Sequence, residues 1–404
     1  MAKSLALNSN SQGLLNQLIT NNQLVQEIQN LDAGIVRKIV HRIGLEDAGE
    51  LFMLITSEQL QEVMDQDVWF SAKSGVDEKI DTNRFVTWLE VLLEVGADFA
   101  ADKISEMDED LLISVLSELV LAIDDDELAL MVQEAEDDKY SKNKYLEKAL
   151  ESVFNLDLAG YVIMSKVSIH WDVISNLLIS LQKNHQDILD RILLRLQSFT
   201  LEQIDEHDGL YELLTESEKL EGDVSHKRLE RREEEGYVAS SSAAAFLKLI
   251  AQTPLEDLAR SDEQDHISKM YFRNLKLGKV KKYKPLSSEL LEILKAHGVR
   301  VEPPLKTKQL AGPQKKPGIH SYLSGLRDAH EELFQKKLSE LNFLANVLIT
   351  SRANGKKSLR PVEAMEMAIQ ICDEGLQVSR RLKADVPEIE LIKLFKLGWK
   401  SRGH

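Results

Sequence analysis

Apolar residues along the first third of the chain recur at the three- and four-residue spacing that gathers them on one face of a helix. They run Ile35, Ile39 and Ile43; Ala48, Leu51, Phe52 and Ile55; Leu60, Val63 and Met64; Phe85, Leu89, Leu92 and Leu93; Leu111, Leu112, Val115, Leu116 and Leu119. Each face lasts three or four turns, and short polar starters stand between them: GLED at 44–47, ITSE at 55–58, MDED at 107–110. The same period returns through Leu177, Leu178, Leu181, Ile188, Ile192, Leu193 and Leu196. It comes back near the C-terminus in LNFLANVLI, followed by a break at Gly355 and a helix start at Pro361-Val362-Glu363. All eight prolines lie from Pro254 onward, so long stretches can stay helical without forced breaks. The pattern predicts an all-α chain of stacked short helices, alpha-solenoid-like, followed by a helical C-terminal domain. Residues 160–171, GYVIMSKVSIHW, are rich in β-branched side chains and fit either an extended segment or a short strand.

Several local strings predict where helices begin and end. LITSEQLQEVMDQDVW (54–69) holds four acids and a tryptophan, and its core recurs: Thr56, Glu58, Gln59, Leu60 and Glu62 match Thr200, Glu202, Gln203, Ile204 and Glu206. Threonine with glutamine three residues on is a capping box, so these acids read as helix-start chemistry rather than as a site, and Trp69 as part of an apolar face. In SHKRLERREEEGYVASSSAAAFLKLI (225–250), Gly236 is placed to end one helix in a left-handed conformation. Tyr237 follows as its apolar partner, and serines 240–242 are expected to cap the next helix. Thr253, Pro254 and Glu256 predict one more start, with the threonine as N-cap.

These signals divide the chain into a lead-in helix at 1–30, an acidic repeat-like helical domain at 31–215, a charged helix and helix-turn-helix corner at 216–299, a Pro/Lys-rich hinge at 300–318, and a C-terminal helical domain at 319–404. Charge follows the chain unevenly. Residues 1–268 hold 23 Lys/Arg against 53 Asp/Glu, net −30, whereas 269–404 hold 27 against 14, net +13. Only the C-terminal third has a field that suits a polyanion, and segment 269–316 alone is +10, enough for an expected salt-sensitive association with the acidic body. The polar N-terminus and the absence of any 18-residue apolar run lead to an expectation of a cytoplasmic protein with no membrane span. Cys372, the single cysteine, excludes an intrachain disulfide.

Two resemblances add to this reading. Residues 31–131 resemble the cytosolic N-terminal domain of bacterial magnesium transporters, a superhelix of short helices with acidic surfaces, although no transporter spans follow. Arg231, Arg232, Glu233, Gly236, Tyr237 and Val238 with Ala245, Phe246 and Leu247, together with LEDAGELFMLITSEQLQEVMDQDVW and ELNFLANVLITSRANG, resemble an uncharacterised bacterial family, a domain of unknown function built of acidic helical proteins. That likeness implies a mostly helical bacterial protein and supplies no catalytic residues.

Chemistry is sparse. The sequence has no phosphate-cradling glycine loop, H-E-x-x-H, G-x-S-x-G or EF-hand loop, so no catalytic, cofactor or metal residue is singled out. A single Glu263-x-x-His266 falls short of a di-iron set, and the run Asp124, Asp125, Asp126, Glu127 reads better as a solvated loop or helix start than as a cation loop. Cys372 reads as a core thiol. Two groups remain as candidate interaction sites. Glu233, Glu234 and Glu235 crowd the negative end of a helix beside Tyr237, where Lys227, Arg228, Arg231 and Arg232 can compensate them; otherwise they serve a cationic partner. Lys276, Lys279, Lys281, Lys282 and Lys284 lie near Tyr271, Phe272 and Tyr283, an arrangement that can track phosphates and stack bases. The expected function is a protein-binding scaffold or adaptor, with an enzyme of unrecognised type and a nucleic-acid-associated regulator using 269–316 as the alternatives.

Overall fold

A computed structural model of the chain describes residues 13–18, 22–71, 73, 75–137, 154–167, 169–205, 215–261, 265–275, 286–299, 301, 318–351, 359–382 and 390–403. After a helical stretch at 13–18, their helices, in order, are α1 (Asn22–Ile28), α2 (Ala33–Ile43), α3 (Gly49–Phe52), α4 (Ser57–Asp65), α5 (Thr82–Val95), α6 (Ala97–Ser105), α7 (Glu109–Leu119), α8 (Asp125–Asp137), α9 (Trp171–Asn184) and α10 (Gln186–Asp205). They continue as α11 (Glu216–Glu234), α12 (Ser240–Gln252), α13 (Leu255–Arg260), α14 (His266–Asn274), α15 (Ser288–Ala296), α16 (Ile319–Ala329), α17 (Glu331–Ser351), α18 (Pro361–Arg381) and α19 (Leu391–Ser401). The strands are short: β1 (Trp69–Phe70), β2 (Lys79–Ile80), β3 (Val120–Asp124), β4 (Asn155–Leu158) and β5 (Tyr161–Ser165). The fold is therefore mostly helical, as the periodicity predicts, with a small sheet added.

The chain forms two units, neither continuous in sequence. The first takes Met1–Trp69, Ile80–Val224 and Lys282–Pro304; the second takes Phe70–Lys79, Ser225–Lys281 and Leu305–His404.

In the first unit the predicted helix starts at Asp108 and Thr56 are made as expected. Asp108 accepts from the Leu111 amide, and Thr56 accepts from the Gln59 amide at 3.2 Å while Gln59 Oε1 accepts from the Thr56 amide at 2.9 Å. Gln59 also donates through Nε2 to the carbonyls of Ile28 and Leu31, so the capping side chain ties α4 to the end of α1. GLED does not cap: α3 begins behind Ala48, which has no side-chain acceptor to offer. Nor does the second copy of the threonine string. Thr200 lies inside α10, because the apolar stripe of that helix runs on through Leu196 and Phe199 without interruption. Its buried hydroxyl donates to the Leu196 carbonyl and accepts from the Ala122 amide, blunting the outer edge of β3.

Of the β-branched stretch, Tyr161–Ser165 form strand β5, central in an antiparallel sheet of order β3-β5-β4. Alternation sorts the sheet's two faces. Val120, Ala122, Leu158 and Ile163 join the core of the unit, while Leu121, Ile123 and Met164 are covered by Leu128 and Met131 of α8. Ala159 and Gly160 both take positive φ (54° and 82°) in the two-residue turn between β4 and β5, the geometry that matches strand twist. Asp124 accepts from the amides of Asp126 and Glu127, so the acidic run is a helix start. From the basic third of the sequence, Leu290 and Leu294 of α15 are fully buried in this unit's core, and Ser287 bonds Glu27.

In the second unit, α11 ends as predicted: Gly236 has φ 92°, its amide bonds the Glu233 carbonyl, and the Tyr237 amide bonds that of Arg232. The cap of α12 differs from expectation. The serines do not provide it; the Ser241 amide donates to Asp77 from segment 70–79, while Ala239 holds the N-cap position. Thr253 ends α12, returning its hydroxyl to the Leu249 carbonyl, and Pro254 precedes α13 in the cap position. The core is aromatic, with Phe246 edge-on to Phe343 at 5.3 Å and Phe395 stacked on Trp399 at 5.8 Å. Cys372 is fully buried in it and its thiol, which burial pushes well up, donates to the Leu391 carbonyl. Gly375 of α18 and Gly398 of α19 let two helix backbones meet. A Cβ on Gly375 would stand 2.6 Å from the Leu394 carbonyl carbon, and one on Gly398 would stand 2.9 Å from the Gly375 nitrogen.

Candidate functional site

The described residues of the first unit line a partly open cavity of about 60 Å³ between α2, α4 and α5. Three elements each give it polar groups. Arg37 and His41 stand four residues apart on α2 and so share a face; Arg84 and Trp88 do the same on α5; Asp67 follows the end of α4. Val40, Leu45 and Val63 supply the apolar wall, and Gly44, in a left-handed conformation at φ 104°, lets the chain turn away at the rim.

Inside this frame the hydrogen bonds are unevenly spent. Asp67 Oδ2 accepts from both Arg84 Nε at 2.7 Å and Trp88 Nε1 at 2.9 Å. Asp67 thereby sets the attitude of the guanidinium and of the indole, which is also stacked on Phe52 at 5.0 Å. Arg84's terminal nitrogens take no part in those bonds. Arg37 reaches Gln66 through Nη1 at a long 3.4 Å, while its buried Nε meets no acceptor among the described residues. A buried donor left unmet costs on the order of 1–3 kcal/mol, and more where it is charged. Formally the lining carries +1 from two arginines and one aspartate, in a region where acidic residues outnumber basic ones more than two to one. The site can hold a negative group.

The residues singled out from sequence lie elsewhere. Glu233 accepts from Asn274 at 3.0 Å, and Tyr237 lies under the Arg232 guanidinium, 3.5 Å from its ring centre, with burial pushing its phenol up. Of the arginines expected to compensate the acidic run, Arg228 and Arg232 both reach Glu78, at 2.5 Å and 2.6 Å. Glu235 is exposed. Lys276, Lys279, Lys281, Lys282 and Lys284 fall outside the described residues, as does Glu263. In the string at 54–69, Glu58 and Glu62 are exposed and Trp69 is buried, while Asp67 belongs to the cavity. The i, i+4 pairs Arg37/His41 and Arg84/Trp88 are visible in the sequence, yet their convergence depends on how three helices pack.

Among the described residues no three His, Cys, Asp or Glu side chains gather to hold a metal ion, and no helix is long and apolar enough to cross a membrane. A family described as a family of unknown function, DUF6178, matches residues 2–207, just over half the chain. Comparison with curated proteins and with solved structures returned no match.

Proposed function

We propose, from the premise that the chain belongs to that family of unknown function, that it works by binding another protein, as a scaffold or adaptor, with the cavity of the first unit as a point of contact. One observation carries the reading. The single carboxylate of the lining, Asp67, is already committed to Arg84 and Trp88, while the Arg37 guanidinium is held among the described residues by one long 3.4 Å contact from Nη1 to Gln66. A site so divided is equipped to grip a negatively charged group, and its carboxylate is held back from serving as a base or nucleophile. The acidic surface around it favours a partner whose contact is anionic only locally, since a broadly acidic one is repelled over a screening length of about 8 Å. A cytoplasmic setting fits the lone cysteine, kept as a buried thiol.

The test is parallel capture of the full chain and of Arg37→Glu from source cells, with quantified co-purifying proteins. The expected result is a defined partner retained by the natural chain and lost from the variant, whose melting temperature stays within a degree or two of it. Identical partner sets would remove the cavity from the function.

A further inference from the structure

The two faces of the cavity point to a ligand class. We propose that it is a receptor for one oxyanion, a carboxylate or a phosphoryl group, gripped between the guanidinium groups of Arg37 and Arg84. The inference rests on the binding reading only in placing that group on a partner protein; a free ion would be held by the same atoms.

Three features support it. The pocket, about 60 Å³, has room for several water molecules, so a carboxylate or phosphoryl group fits. The cationic groups come from two different helices, α2 and α5, that both line the pocket, and guanidinium forks match the paired oxygens of carboxylates and phosphates. Asp67 acts as a positioning residue: by taking Arg84 through Nε it orients the fork and leaves the terminal nitrogens for the ligand. The same carboxylate holds the Trp88 indole N–H beside the cavity, which makes that ring a reporter of occupancy.

The experiment uses full-length protein with ¹⁵N-labelled indoles. The chain has four tryptophans, Trp69, Trp88, Trp171 and Trp399, and Trp88→Phe assigns the signal of interest. Inorganic phosphate, acetate and chloride are titrated separately at constant ionic strength. The expected result is a saturating shift confined to Trp88 with phosphate or acetate and not with chloride, the tighter of the two naming the natural group. Arg37→Gln should weaken it about tenfold or more. Arg84→Lys keeps the charge, loses the fork and should also weaken it, with the other three indole signals unmoved as the check on folding. No saturation at Trp88, parallel drift of all four signals, or an Arg37→Gln variant that binds as before would overturn the proposal. A silent Trp88 alongside loss of partner capture by Arg37→Glu would sink the oxyanion and spare the protein-binding reading; the opposite pair of results would do the reverse.

Discussion

Replacing Gly375 with alanine sets two known effects against each other, and the structure decides the sign. In the interior of a 21-residue helix such as α18, glycine is worse than alanine by about 1 kcal/mol, so the change should stabilise if the site had room. It has none. The new methyl would stand 2.6 Å from the Leu394 carbonyl carbon, closer still to its oxygen, and 3.0 Å from the Gly398 nitrogen. All three are helix backbone, so no rotamer can yield; α19 must retreat by roughly 1.5 Å to restore ordinary contact. Overpacking of this kind costs about 1–3 kcal/mol, and this site belongs at the upper end because retreat also loosens Ile371, Cys372, Leu394 and Phe395, each fully buried. After the propensity gain the net loss should be about 2 kcal/mol. Gly325 of α16 lies in the same unit with nothing within 4 Å of its Cβ position, so Gly325→Ala should instead gain about 0.5–1 kcal/mol. Urea unfolding followed by far-ultraviolet circular dichroism compares the two variants. If Gly375→Ala raises the midpoint as Gly325→Ala does, the close crossing of α18 and α19 is wrong.

Two further outcomes follow from the first unit. Ala159 occupies a turn position with φ 54° that a side chain tolerates poorly, so Ala159→Gly should raise stability by up to about 1 kcal/mol in thermal unfolding, and a loss would argue against the two-residue turn. Lys166 bonds the Ser117 carbonyl at 2.7 Å, and burial of its ammonium, opposed by Glu118, pushes its pKa down to about 8. Its folded value lies below its unfolded one, so the folded state sheds the proton first and stability should rise between about pH 8 and the ordinary lysine range. Solvent reaches much of the side chain, which limits the gain to about 1 kcal/mol or less. Lys166→Met should flatten that slope relative to the natural chain, and an unchanged slope assigns it to other groups.

The helical class was legible because apolar periodicity is a property of each segment alone. What the strings could not carry was context. The same T-x-E-Q motif caps α4 at Thr56 and vanishes into α10 at Thr200, since a cap forms only where the apolar stripe pauses. The corner at Gly236 was readable because its geometry is local. Its cap was not: Asp77 comes from more than 160 residues away to do what Ser240, Ser241 and Ser242 were placed to do. The cavity is the extreme case. Asp67 sat inside a stretch that reads as scaffold, and nothing along the chain says that Arg37 and Arg84 meet beside it.

The burial of Leu290 and Leu294 has a consequence for the order in which the chain is made. A polypeptide leaves the ribosome N-terminus first, and the whole of 225–281, which belongs to the second unit, emerges before the helix that fills the first. Until about residue 299 is out, the first unit waits with an apolar slot open, a state prone to misassembly and suited to chaperone capture. Cutting the gene at the charge divide near residue 268 would make that waiting state permanent.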